Sequence, residues 1–186
     1  MKTISARDLA YMATGIALIA VCSWISVPSL LPTMVPFTLQ TFAVCLVSAL
    51  LGLRRGLGSI GCYLLLGALG APVFAGFRGG FSALVGTTGG YLVGFLFTAL
   101  AVGFASDRFG HKFPALFGSM VLGLMMCYAF GTAWFLFLYT KNSGALGVGT
   151  ALAWCVVPYL IPDAIKLVLA ALLAKRLYPL IKREHH

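Results

Sequence analysis

The chain is 186 residues long, 61% hydrophobic and only 9% charged, with a formal net charge of +9. A water-soluble domain carries about 25% charged residues, so this composition excludes one and implies an integral membrane protein. The excess of cations reads as a topology signal, not as a footprint for nucleic acid.

Apolar runs of membrane length predict six crossings, at about residues 8–27, 37–53, 57–75, 85–106, 114–139 and 159–176. The expected fold class is all-α: a six-helix bundle occupying residues 1–186 as a single membrane domain. Lys2, Arg7, Arg54, Arg55, Arg108, Lys112, Lys175, Arg176, Lys182 and Arg183 all fall on one side of such a bundle, and only Arg78 and Lys141 on the other. Cytoplasmic loops carry the excess of Lys and Arg, so both termini are expected in the cytoplasm, in a bacterial-type cytoplasmic membrane.

The first span is longer than the roughly 7–15 apolar residues of a signal peptide, and no small-x-small cleavage site follows it, so it reads as a retained helix. Within it Ala6, Ala10, Ala13, Ala17 and Ala20 recur at helical spacing. In lipid such a seam lets helices approach closely; its partner is either another helix of this bundle or a different protein. After it, Pro28, Pro32 and Pro36 preclude a regular helix. This loop is apolar enough to fold over something.

Thr38, Gln40 and Thr41 place polar groups at the outer end of the second span. They serve either local bonds or a ligand. The third and fourth spans are joined by a glycine-rich loop carrying Arg78 and closing on Tyr91. Glycine lets backbone approach a ligand or helix closely. Gly86, Gly90 and Gly94 form a small-residue stripe, most simply for helix packing. The five cysteines are scattered with no C-x-x-C spacing and read as small packing residues.

Before the sixth span, residues 150–157 suggest a broken or re-entrant helix. Pro158 and Pro162 favour a helix start, which places Asp163 in the first turn and Lys166 on the same face. A charge in mid-membrane costs roughly 2.5–3.5 kcal/mol. A pair inside this apolar run therefore points to a site, because a buried ion pair is a poor device for mere stability.

Three stretches together resemble the BioY family of biotin transporters. They are Val35-Pro36-Phe37-Thr38-Leu39-Gln40-Thr41-Phe42; Gly70-Ala71-Pro72-Val73-Phe74-Ala75-Gly76 with Arg78-Gly79-Gly80 and Gly86-Thr87-Thr88-Gly89-Gly90-Tyr91; and Ile161-Pro162-Asp163-Ala164-Ile165-Lys166. The resemblance covers nearly all of residues 5–176, and Pro162 stands where the family pattern has glycine. It implies the substrate-binding subunit of an energy-coupling-factor transporter, which captures biotin at the outer face. Its implied partners are a membrane coupling subunit and two cytoplasmic ATPases.

The residues implied for substrate are Asp163, Lys166, Arg78, Tyr91 and Gln40. Those implied for the coupling subunit are Ala6, Ala10, Ala13 and Ala17. Biotin offers two ureido N–H groups, one ureido oxygen, a thioether ring and a carboxylate. An ionised Asp163 accepts where Lys166 and Arg78 only donate. No cofactor, metal or catalytic residue is expected.

The chain has no G-x-x-x-x-G-K-[ST] phosphate loop, so energy for transport is expected to come from a partner or from a gradient. The alternative is a self-sufficient secondary carrier for a small solute, which would show internal repeats or further midplane ionisable groups. A membrane enzyme acting on phosphates needs clustered acids or histidines. Here Asp8, Asp107 and Glu184 lie at the cytoplasmic edge and His111 in a loop.

Overall fold

The computed structural model describes residues 5–27 and 35–183. Lys2, the proline-rich stretch 28–34, the side chains of Lys182 and Arg183, Glu184 and the terminal histidines lie outside the described residues. Five segments are long and apolar enough to cross a membrane: Ala6–Trp24, Gln40–Ala68, Gly89–Phe109, Phe113–Ser143 and Val148–Ile181.

Helix α1, Ala6–Trp24, starts at a capping box. The Asp8 N–H donates to Ser5 Oγ at 3.2 Å, and the Ser5 N–H donates back to Asp8 Oδ2 at 3.0 Å. Beyond α1, strand β1 (Ser26–Val27) pairs antiparallel with β2 (Phe37–Thr38), Ser26 opposite Thr38.

Helix α2, Gln40–Ala68, is 29 residues long but not straight. At Gly52 the backbone turns to φ 73° and ψ −173°. Gln40 and Tyr63 then meet at 2.7 Å across 23 residues of chain, where an unbroken helix would hold them about 35 Å apart. The segment is thus a hairpin of two helical arms reversed at one residue. A loop around Arg54 and Arg55 was expected between spans 37–53 and 57–75; instead both arginines already lie in the second arm.

The reason is local. Only glycine takes this φ without strain, and a Cβ on Gly52 would stand 2.3 Å from Asp107 Oδ1. Asp107 Oδ2 accepts the Leu53 N–H at 3.0 Å, one of the donors that a restarting helix leaves free.

A 3-10 turn at Ala75–Phe77 and the short helix α3, Phe81–Val85, lead into α4, Gly89–Phe109. Helix α5, Phe113–Ser143, lies close against α4. A Cβ on Gly94 would sit 2.8 Å from Cys127 Sγ, and one on Gly123 2.8 Å from the Thr98 Cα. The Gly90 and Gly94 stripe is therefore helix packing, as its spacing suggests.

Helix α6, Val148–Cys155, and a second 3-10 turn, Val157–Tyr159, precede α7, Leu160–Arg183. The broken helix expected before the last span is this α6-and-turn pair. Pro162 falls in the first turn of α7, where no backbone N–H is needed. Ala170, Ala171 and Ala174 of α7 are fully buried with Cys45 and Ala49 of α2 and Met120 of α5. Large apolar side chains such as Leu122, Phe137 and Ile165 are exposed on the outer faces, as expected where lipid is the solvent.

Candidate functional site

The starts of α2, α4 and α7, the middle of α5 and the loop 74–88 enclose a cavity of about 440 Å³. Its lining includes all five residues singled out for substrate: Gln40, Arg78, Tyr91, Asp163 and Lys166. Small-molecule sites are typically roughly 300–1,000 Å³, mostly apolar with a few convergent polar groups. This one fits that description.

Asp163 stands in the first turn of α7 and is only 3% exposed. The helix dipole favours its negative charge there. Lys166 Nζ donates to Asp163 Oδ1 at 2.7 Å, and Tyr128 Oη, from α5, donates to Oδ2 at 2.5 Å. Each carboxylate oxygen keeps a second lone-pair site for a ligand N–H. Lys166 keeps two further N–H donors.

Gln40 is buried. Thr38 Oγ1 accepts its backbone N–H at 3.2 Å, while its Nε2 donates to Tyr63 Oη. Thr38 thus makes a local bond at the start of α2 and also lines the cavity. Tyr91 Oη lies 3.0 Å from Thr132 Oγ1, which turns this tyrosine inward and away from an interfacial belt role. Arg78 is exposed at the cavity rim and has no ion pair among the described residues.

The loop carrying Arg78 is pinned from behind. Trp24 Nε1 donates to the Pro72 carbonyl at 2.8 Å and Ser23 Oγ to the Val73 carbonyl at 2.5 Å. Tyr63 Oη reaches the same Val73 carbonyl at 2.9 Å. On the other side, Tyr159 Oη donates to the Val35 carbonyl, and its ring stacks on Phe37 at 4.3 Å.

Sequence reasoning passed over Tyr128 and Tyr159. Tyr128 carried a usable signal. It lies with Leu124, Gly131 and Thr132 on the buried stripe of an otherwise apolar helix, and a hydroxyl there needs a partner. Cys127 and Cys155, read as packing residues, are buried and also form cavity wall.

The alanine seam divides. Ala20 is buried, whereas Ala6, Ala10, Ala13 and Ala17 are exposed on the outer face of α1, uncovered by other described residues. Of the two partners considered for it, a helix of this bundle does not cover those four.

At the opposite end, a second set of polar residues surrounds the hairpin bend. Arg55 pairs with Asp8 at 2.6 Å. His111 Nε2 lies 2.7 Å from the Ala49 carbonyl and 3.0 Å from Ser106 Oγ, and its ring stacks on Tyr178 at 3.4 Å. Burial pushes the His111 pKa below its ordinary 6.5, partly opposed by the Ala49 hydrogen bond and the Asp107 charge.

The family model described as the BioY family matches residues 1–183. "Biotin transporter BioY" of Thermotoga maritima is 44% identical over 171 residues, covering 92% of this chain and 95% of that protein. "Probable biotin transporter BioY" of Pyrococcus horikoshii is 34% identical over 174 residues, covering 94% and 98%. A crystal structure of the S-component for biotin from an ECF-type ABC transporter superposes with a TM-score of 0.82 at 26% identity, over 92% of this chain and 90% of that one. A family match of this extent, with close relatives over nearly the whole length and the same helical fold, means that this chain belongs to the BioY family.

Proposed function

We propose that this chain is the biotin-binding membrane subunit of an energy-coupling-factor transporter, which captures the vitamin at the outer face and relies on an ATPase-driven module for its release inside. The observation that carries the reading is the Asp163–Lys166 pair opening onto a 440 Å³ cavity that Arg78 also lines. Asp163 accepts a ureido N–H, and Lys166, a donor only, takes a ligand oxygen. Charge-assisted bonds of this kind are about twice as strong as neutral ones. Arg78, at the rim with no ion pair among the described residues, takes the carboxylate at the far end of the valeryl chain, and Tyr91 closes the side wall.

The reading includes a topology of six spans in one membrane domain with both termini cytoplasmic. The hairpin at Gly52 supports six spans, since it makes two antiparallel arms of α2. Arg55, Arg108 and Lys112 near the hairpin-bend end support placing that end in the cytoplasm. The exposed alanines of α1 are where the membrane coupling subunit docks, with two ATPases beneath it. Their small side chains allow helix-to-helix approach in lipid.

Calorimetric titration of detergent-purified protein with biotin, desthiobiotin and thiamine tests the reading. Biotin should bind tightly, desthiobiotin more weakly for want of the thioether ring, and thiamine not at all. Equal binding of biotin and thiamine, or no heat with biotin, would refute it.

A further inference from the structure

The Gln40 side chain has two polar ends, and the described residues bond only one of them. Its Nε2 lies 2.7 Å from Tyr63 Oη, and Tyr63 Oη lies 2.9 Å from the Val73 carbonyl oxygen. A carbonyl oxygen only accepts, so the single phenolic proton goes to Val73. Tyr63 Oη then faces Gln40 with lone pairs, and only the NH₂ end of the amide matches it. Turned over, the amide would set two acceptors competing for one proton.

The Val73 carbonyl is also approached at 2.5 Å by Ser23 Oγ, whose one proton is shared with the Ala20 carbonyl at 2.7 Å. Gln40 Oε1 has no hydrogen-bond partner among the described residues. No fully buried side-chain oxygen or nitrogen among them lacks one. Oε1 therefore borders the cavity that Gln40 lines.

We propose that Tyr63, itself fully buried and not part of the cavity wall, is a positioning residue that locks the Gln40 amide with its oxygen toward the ligand. The site then takes an N–H group at Gln40 and rejects an acceptor oxygen there. The inference rests on the biotin reading and sharpens it. Besides hydroxyls, which both donate and accept, the cavity carries Asp163 and Gln40 Oε1 as acceptors for the two ureido N–H donors of the ligand. Its two donor-only side chains, Lys166 and Arg78, stand against the ureido oxygen and the carboxylate. Discrimination by such a site comes from polar groups left unpaired when the wrong analogue enters.

Tyr63→Phe isolates the effect. The ring keeps its edge-on contact with Phe74 at 5.4 Å, and Val73 keeps Ser23, so the loop and core stay in place while the amide is freed to turn. The ligands are biotin and its two cyclic carbamate analogues, each with one ureido N–H replaced by a ring oxygen. Binding is measured on purified wild type, Tyr63→Phe, Gln40→Met and the double variant.

In the wild type both carbamates should bind at least about tenfold more weakly than biotin. In Tyr63→Phe the penalty for one carbamate should fall at least about fivefold, and the penalty for the other, whose oxygen faces Asp163, should hold. In the Gln40→Met background, Tyr63→Phe should change neither ratio, because coupled residues are non-additive. A merely structural defect would weaken all three ligands together and leave the ratios alone. Unchanged ratios in Tyr63→Phe, or a shift that survives in the Gln40→Met background, would overturn the proposal. A wild type that fails to bind biotin overturns the functional reading as well, and shows itself before any substitution is made.

Discussion

Asp163→Asn is the sharpest probe of the cavity. The carboxylate accepts from Tyr128 Oη on one oxygen and from Lys166 Nζ on the other, and asparagine keeps its shape without its charge. Hydrogen bonds to a charged group contribute about 1.5–3 kcal/mol, against about 0.5–1.5 for neutral pairs. The ligand N–H therefore loses about 1–1.5 kcal/mol at Asp163. Lys166, at 12% side-chain exposure, is left without its counter-charge. Of the two amide orientations, the one pairing Oδ1 with Lys166 turns the NH₂ toward Tyr128 Oη, whose proton it cannot accept. Together these terms weaken binding by about 2–4 kcal/mol, or about 30- to 1,000-fold in Kd.

The assay is calorimetric titration in detergent, with the ligand-free thermal midpoint recorded alongside. Asp163→Asn/Lys166→Met supplies the control, since replacing a buried pair by neutral groups is often harmless to stability. It should recover the midpoint and not the affinity. An Asp163→Asn protein that binds biotin within threefold of the wild type would refute the assignment, and so would a double variant that binds normally.

Tyr128→Phe should weaken biotin about tenfold by removing one bond to the charged acceptor, measured by the same titration. Ala13→Trp and Ala17→Trp should leave biotin affinity within twofold, because both positions are exposed on α1. They should cut uptake by the assembled transporter in whole cells at least tenfold, and lost binding would instead place the seam inside the fold. Gly52→Ala should lower stability by about 2 kcal/mol or more, read as thermal midpoint in detergent, since it combines positive φ with a Cβ 2.3 Å from Asp107 Oδ1. His111 is half-buried, and that burial holds its pKa below 6.5. Its stabilising effect should be whole above about pH 6.5 and lost as pH falls through the depressed folded-state value. His111→Gln should flatten that part of the stability curve, and an unchanged slope would assign it to other groups.

What was legible in the sequence follows from what lipid makes expensive. Asp163 and Lys166 stand out because charge in an apolar run is costly, whatever its partner. Gln40 stands out by position, at the end of a span, and Arg78 as a cation in the glycine-rich loop on the side that otherwise carries only Lys141. Tyr128 did not, because a tyrosine inside an apolar helix is cheap until its hydroxyl has to be placed, and that hydroxyl meets Asp163 from 35 residues away. Tyr63 was hidden for the same reason: its partners Gln40 and Val73 come together only after the reversal at Gly52.

The two spans 37–53 and 57–75 already implied a reversal between them, but its form was not legible, since Gly52 reads as packing until its φ is known. Arg54 and Arg55 indicated which side of the membrane the turn faces, yet not that one residue suffices to make it. The charges in this chain thus announce where the site is. The uncharged hydroxyls and one glycine decide how its groups are aimed, and those are the parts that require the three-dimensional arrangement to be seen.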